Sequence, residues 1–172
     1  MSTELSEIES FSGMSLKSFR ASALFERTFD EGMGLVEECA RYLDGRGRNE
    51  SRELPRKAAL VYAGESMRVT TRLMQTASWL LIQRAVHDGE MSPEDAASDR
   101  YRLGAREICM ARREEGVDAL PTKLIELLER SESLYRRIAR LDDILFRQGE
   151  EIQGVQSQFA RLAAAYGPGE SE

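Results

Sequence analysis

One histidine, His87, is the only imidazole in the 172-residue chain, and it stands beside Asp88. An imidazole next to a carboxylate can move protons, but it needs a group to act on. No Gly-x-Ser-x-Gly turn presents a nucleophile. A lone histidine near a helix end more often complements the helix dipole, and His87 reads that way. The two cysteines, Cys39 and Cys109, lie far apart, with neither a Cys-x-x-Cys pair nor any metal-ligand spacing to His87. Helical carboxylate metal sites use Glu-x-x-His. None is present, and the acidic pair Glu37-Glu38 has no histidine near it. Neither of the common Gly-rich phosphate loops occurs. We expect no catalytic residue, no metal and no cofactor, and so a protein that is not an enzyme.

The remaining chemistry is charge and surface. Arg46, Arg48, Arg52 and Arg56 form one basic cluster and Arg112 and Arg113 another, both interleaved with acids; they read as solvated linkers rather than phosphate sites. Overall, 24 basic and 30 acidic residues leave a net charge of −6. Such a chain binds nucleic acid poorly, because phosphate contacts need a positive surface. Between 65 and 83, Glu65, Arg68, Thr70, Thr71, Arg72, Gln75 and Gln83 stand among apolar residues. They can line a buried polar pocket, or Glu65 can pair with Arg68 or Arg72 and set a register. Trp79, the only tryptophan, suits either a core or an interface.

These residues sit on elements read from hydrophobic period. With 41% apolar and 31% charged residues, the length suits one domain with a core and a solvated outer face. Two cysteines without a Cys-x-x-Cys pair or a dense cysteine framework point to a reducing compartment. The N-terminus lacks the basic and apolar regions of a signal peptide, and the apolar run Trp79 to Ile82 is far too short for a membrane span. We expect a cytoplasmic protein.

Residues 1–15, rich in Ser and Glu, read as a disordered arm. Helix one, about 16–43, carries Ser22, Phe25, Phe29, Gly32, Val36, Cys39 and Leu43 at alternating steps of three and four. Gly32 and Gly34 suggest close approach of a neighbouring backbone. Asp44-Gly45-Arg46-Gly47 ends the helix in a loop. Helix two, about 55–88, starts at Pro55. Its clearest stripe is Leu60, Gly64, Met67, Thr71, Met74, Ser78, Leu81 and Ala85, with large and small residues alternating. Val61, Trp79, Ile82 and Val86 mark another face. Toward its C-terminal end the helix is apolar nearly all round and needs cover on several sides. Leu60, Met67, Met74, Trp79, Leu81 and Ile82 are therefore a core face or a dimer face.

Ser92-Pro93-Glu94-Asp95 starts a short helix, and about 104–119 reads as a mobile connection. Helix three, about 121–146, has the cleanest heptad: Leu124, Leu127, Ser131, Leu134, Ile138, Leu141 and Leu145. The same phase continues through Ile152, Val155, Phe159 and Leu162, across Gly149 and Gly154. This stripe in 147–172 can extend helix three, fold back on the bundle, or dock in a partner's groove. The expected fold is all-α: an antiparallel three-helix bundle over 16–146, with a flexible 147–172 tail.

The block from Glu65 to Glu90, ESMRVTTRLMQTASWLLIQRAVHDGE, resembles the regulator of CtrA degradation (RcdA) family. Tyr42-Leu43-Asp44-Gly45 and the stretch from Leu134-Tyr135 to Arg140-Leu141-Asp142 resemble it too, so the likeness spans roughly 16–146. The resemblance implies a non-enzymatic, homodimeric three-helix bundle. It implies an adaptor that helps deliver CtrA and other substrates to the ClpXP protease, with the response regulator CpdR and the cyclic-di-GMP effector PopA, at the cell pole. It also implies a flexible C-terminal tail needed for activity, which by position is 147–172. The stripe Ile152, Val155, Phe159 and Leu162 is then a candidate partner-binding element. The rival expectation is a structural or regulatory bundle that binds a nucleotide second messenger or DNA through its arginine clusters.

Overall fold

The computed structural model describes the backbone of residues 16–165, and the side chains of 18–144 together with Gln158 and Arg161. The arm 1–15 and the end 166–172 lie outside the described residues. Within them all the regular structure is helical: α1 (Leu16–Arg20), α2 (Ala23–Asp44), α3 (Arg46–Glu53), α4 (Arg56–His87), α5 (Pro93–Ala96), α6 (Arg106–Cys109) and α7 (Thr122–Ala165), plus two short 3-10 turns at Asp99–Tyr101 and Val117–Ala119.

Helix one is divided in two. Ser22 takes an extended backbone and its hydroxyl accepts the Phe25 N–H at 3.2 Å, so a fresh N-cap starts α2 there. The loop expected after Asp44 is mostly the short helix α3. Its Gly47 sits where a Cβ would fall 2.7 Å from Tyr42 Cε1 and 2.7 Å from the Tyr62 hydroxyl oxygen. Ser92 caps α5 as its sequence predicts, accepting the Asp95 N–H at 3.0 Å.

The long helices α2, α4 and α7 enclose the core, and side-chain pairs give their directions. Glu26 pairs with Arg84 near one end, and the Tyr42 and Tyr62 rings meet over Gly47 near the other, so α2 and α4 are antiparallel. Glu38 meets Lys123 and Arg130 while Glu31 meets Arg137, so α2 and α7 are antiparallel too. Arg72 bonds the Leu128 carbonyl and Trp79 bonds Asp142, so α4 and α7 run in the same direction. An all-antiparallel bundle does not describe this chain. The physical reason is the 88–121 segment, which returns along the bundle before α7 starts.

That return segment was expected to be mobile over 104–119, yet it is pinned. Leu103, Cys109, Val117 and Leu120 are buried. The Gly104 N–H donates to Gln75 at 2.9 Å, Tyr135 donates to the Gly104 carbonyl at 2.6 Å, and Arg72 donates to the Cys109 carbonyl at 2.7 Å. Isolated apolar anchors joined by side-chain-to-backbone bonds leave no period in a sequence.

Helix α7 is one element to Ala165, so the backbone takes the first of the three forms open to the tail stripe. It is helical through Gly149 and Gly154, each costing roughly 1 kcal/mol against alanine. Trp79 and Asp142 lie level with each other, and α4 ends at His87. At 1.5 Å per residue α7 therefore runs on about 20 Å beyond the end of α4. The side chains of Ile152, Val155, Phe159 and Leu162 lie outside the described ones.

Candidate interaction surface

Helix α4 carries two stripes on opposite sides. One faces inward: Val69, Leu73, Thr76 and Leu80 are buried against α2 and α7, with Glu65, Arg72 and Gln83 buried among them. The other is Leu60, Met67, Met74 and Leu81, which are 69%, 73%, 64% and 52% exposed. Residues seven apart drift only about 20° around a helix, so these four form a nearly straight apolar line. Of the six residues expected on a core or dimer face, this places four outside the monomer's core. Trp79 is 2% exposed and belongs to the core, and Ile82 is partly buried.

The outer line borders an apolar groove between α2 and α4. Val36, Ala40 and Leu43 form one wall, and Leu73, Met74, Ala77 and Leu81 the other. Small residues on both sides, Ala40 and Ala77, keep the groove open, while Met74 and Leu81 stand at its rim. Gly32 lies on the inner side of α2: a Cβ there would come 2.6 Å from Leu80 Cδ1, so it serves close packing. Gly34 does not, since nothing lies within 4 Å of its Cβ position.

A polar lock with Trp79 and Asp142 buried at its centre ties α4 to α7 and to the return segment. Trp79 Nε1 donates to Asp142 Oδ1 at 3.0 Å. The other oxygen of Asp142 takes Arg102 at 3.2 Å and Arg106 at 3.0 Å, and Arg106 also reaches Asp143 at 2.8 Å. These carboxylates hold the Arg106 guanidinium above its ordinary pKa, chiefly through the Asp143 bond. The composition and charge pattern did not reveal Asp142. One signal was available: Leu128, Tyr135 and Asp142 are spaced by seven, so Asp142 continues an inward line.

The other candidate groups fall into structural roles. Glu65 is buried and accepts from Arg68 at 2.6 Å and from the Glu114 N–H at 3.3 Å, so it is an ion-paired anchor. Arg72, 1% exposed, has its pKa lowered by burial. Cys39 and Cys109 are free and buried. Burial, then the Glu38 charge, pushes the Cys39 thiol up to about 11, far from the range of a reactive thiolate. His87 is exposed at the end of α4. Among the described residues no cluster is placed to hold a metal ion, and no helix is long and apolar enough to cross a membrane.

Residues 16–166 match a family model described as a protein of unknown function (DUF1465), the RcdA family. The chain belongs to that family. The crystal structure of RcdA from Caulobacter crescentus CB15 is similar to it at 54% identity and a TM-score of 0.62, covering 76% of this chain and 97% of that one. No curated protein matches. In this RcdA-family chain, then, the helical architecture shared with a solved relative carries a line of large apolar side chains in solvent.

Proposed function

We propose that this chain is a non-enzymatic adaptor of regulated proteolysis, helping to deliver CtrA and other substrates to the ClpXP protease. The observation that carries the reading is the exposed Leu60, Met67, Met74 and Leu81 line, set on the face of α4 away from the core. A monomer gains nothing from holding four large apolar residues in water. RcdA, the name of the 54% identical relative, denotes a regulator of CtrA degradation, which supports regulation of proteolysis as the setting. In this reading the α4 line joins two copies into a homodimer. CpdR and PopA act as co-adaptors, the complex gathers at the cell pole, and Ile152, Val155, Phe159 and Leu162 contact partners. Tethering needs no chemistry: it raises the effective concentration of substrate at the protease, so modest affinities add.

The test is degradation of CtrA by ClpXP with CpdR and PopA, with the full chain and with a chain lacking 147–172. The truncated protein should keep its thermal unfolding midpoint and deliver substrate more slowly. Delivery at the full rate, or a truncated chain that no longer folds, sinks the proposal for the tail. No acceleration by the full chain sinks the adaptor reading itself.

A further inference from the structure

Away from the α4 line, one side of α7 carries an open cleft lined by Glu129, Glu132, Ser133, Arg136, Arg137 and Arg140, with Arg113 closing it from the return segment. Its charges do not balance. Glu132 accepts from Arg113 at 3.1 Å and Arg136 at 2.6 Å, and the buried Arg72 stands behind it at 3.9 Å. One carboxylate therefore answers three guanidiniums. Arg113 also reaches Glu129 at 3.5 Å, and Arg137 pairs with Glu31 on α2. Arg140 has no ion pair among the described residues. Arg72 Nη2 and Arg137 Nε are buried without a hydrogen-bond acceptor. Four arginines thus line the cleft against two carboxylates, Glu129 and Glu132, with Glu31 of α2 answering Arg137 alone, in a chain whose net charge is −6.

We propose that this cleft is a docking site for a short acidic segment of a partner protein. Guanidinium forks pair with carboxylates through two parallel hydrogen bonds, and the cleft holds more forks than carboxylates. From Glu129 to Arg140 it extends about 16 Å along α7, the length of about five extended residues. A single phosphate cannot engage both ends. A nucleic acid would meet the field of an acidic protein beyond the cleft. The site stands apart from the delivery reading, since a peptide can bind here whether or not the chain serves a protease.

The test is fluorescence anisotropy of a labelled octaglutamate peptide with the full chain, in about 50 and about 300 mM salt. Binding should weaken at the higher salt. Arg136→Glu with Arg140→Glu should lower affinity roughly tenfold or more. Arg48→Glu with Arg52→Glu, the same charge change on exposed α3 residues, should change it less than about twofold. Urea unfolding checks that each variant is folded; should the α7 pair unfold the chain, Arg140→Gln alone replaces it and should still weaken binding. Absence of peptide binding, equal loss in the two double variants, or no loss in the α7 variant overturns the proposal. So does tighter binding of a single-stranded octanucleotide, or displacement of the peptide by low-millimolar inorganic phosphate.

Discussion

Leu73 and Leu80 are seven residues apart on α4, and so are Met74 and Leu81, yet the first pair is buried and the second is 64% and 52% exposed. By composition the outer side is the more uniformly apolar. The inner side holds Glu65, Arg72, Thr76 and Gln83, which a hydrophobicity reading sends to solvent. Three of the four find a bonding partner there: Arg68 for Glu65, the Cys109 and Leu128 carbonyls for Arg72, and Arg20 for Gln83; Thr76 sets its methyl beside the small Gly32 and leaves its buried hydroxyl without one. Buried polar groups are tolerated once bonded. A line of large apolar residues with nothing over it marks a surface for contact.

The largest effects should come from the inner face. Leu80→Ala removes a fully buried side chain and should lower stability by about 3 kcal/mol. Leu81→Ala, one residue on, should stay within about 0.5 kcal/mol in the monomer. Urea unfolding at low protein concentration measures both, and equal losses would break the contrast between the faces. Asp142→Asn comes next. It keeps the shape but removes the charge that Arg102 and Arg106 share, and should cost about 2 kcal/mol. Combined with Trp79→Phe it should be non-additive, because one hydrogen bond joins the two residues.

This contrast also explains what could be read in advance. Helix three had one apolar stripe, and Leu124, Leu127, Ser131, Leu134, Ile138 and Leu141 are all buried. Helix two had several, and period alone cannot say which one meets the core. The shared direction of α4 and α7 was illegible, because the 88–121 return is held by Gln75, Arg72, Tyr135 and Asp142 acting on backbone groups and isolated anchors. The DUF1465 match and the Glu65 to Glu90 resemblance agree on the family. Neither identifies which α4 side is free.

Two glycines of α2 repeat the comparison on a smaller scale. Gly32→Ala gains about 1 kcal/mol of helix propensity but drives a methyl onto the fully buried Leu80, an overpacking of about 1–3 kcal/mol. The net should be destabilising by about 1 kcal/mol. Gly34→Ala meets nothing within 4 Å, so the propensity gain of about 1 kcal/mol should appear as added stability. Thermal unfolding of the two variants should shift in opposite directions; a shift in the same direction would mean that Leu80 can move aside.

The smallest expected change in monomer stability bears most on function. Met67→Glu with Met74→Glu replaces two exposed side chains on the outer line, and should move the unfolding free energy of the isolated monomer by no more than about 0.5 kcal/mol. The same pair should abolish self-association, because two like charges would be buried without partners at the proposed dimer seam. Sedimentation across a concentration series separates the two quantities. A folded, monomeric variant that no longer supports CtrA degradation would tie the outer face to delivery through the dimer. A folded variant that still dimerises would move the dimer contact elsewhere and leave the groove beside Met74 and Leu81 for another protein. A variant that unfolds would show that this face contributes to the monomer after all, against the exposure that defines it.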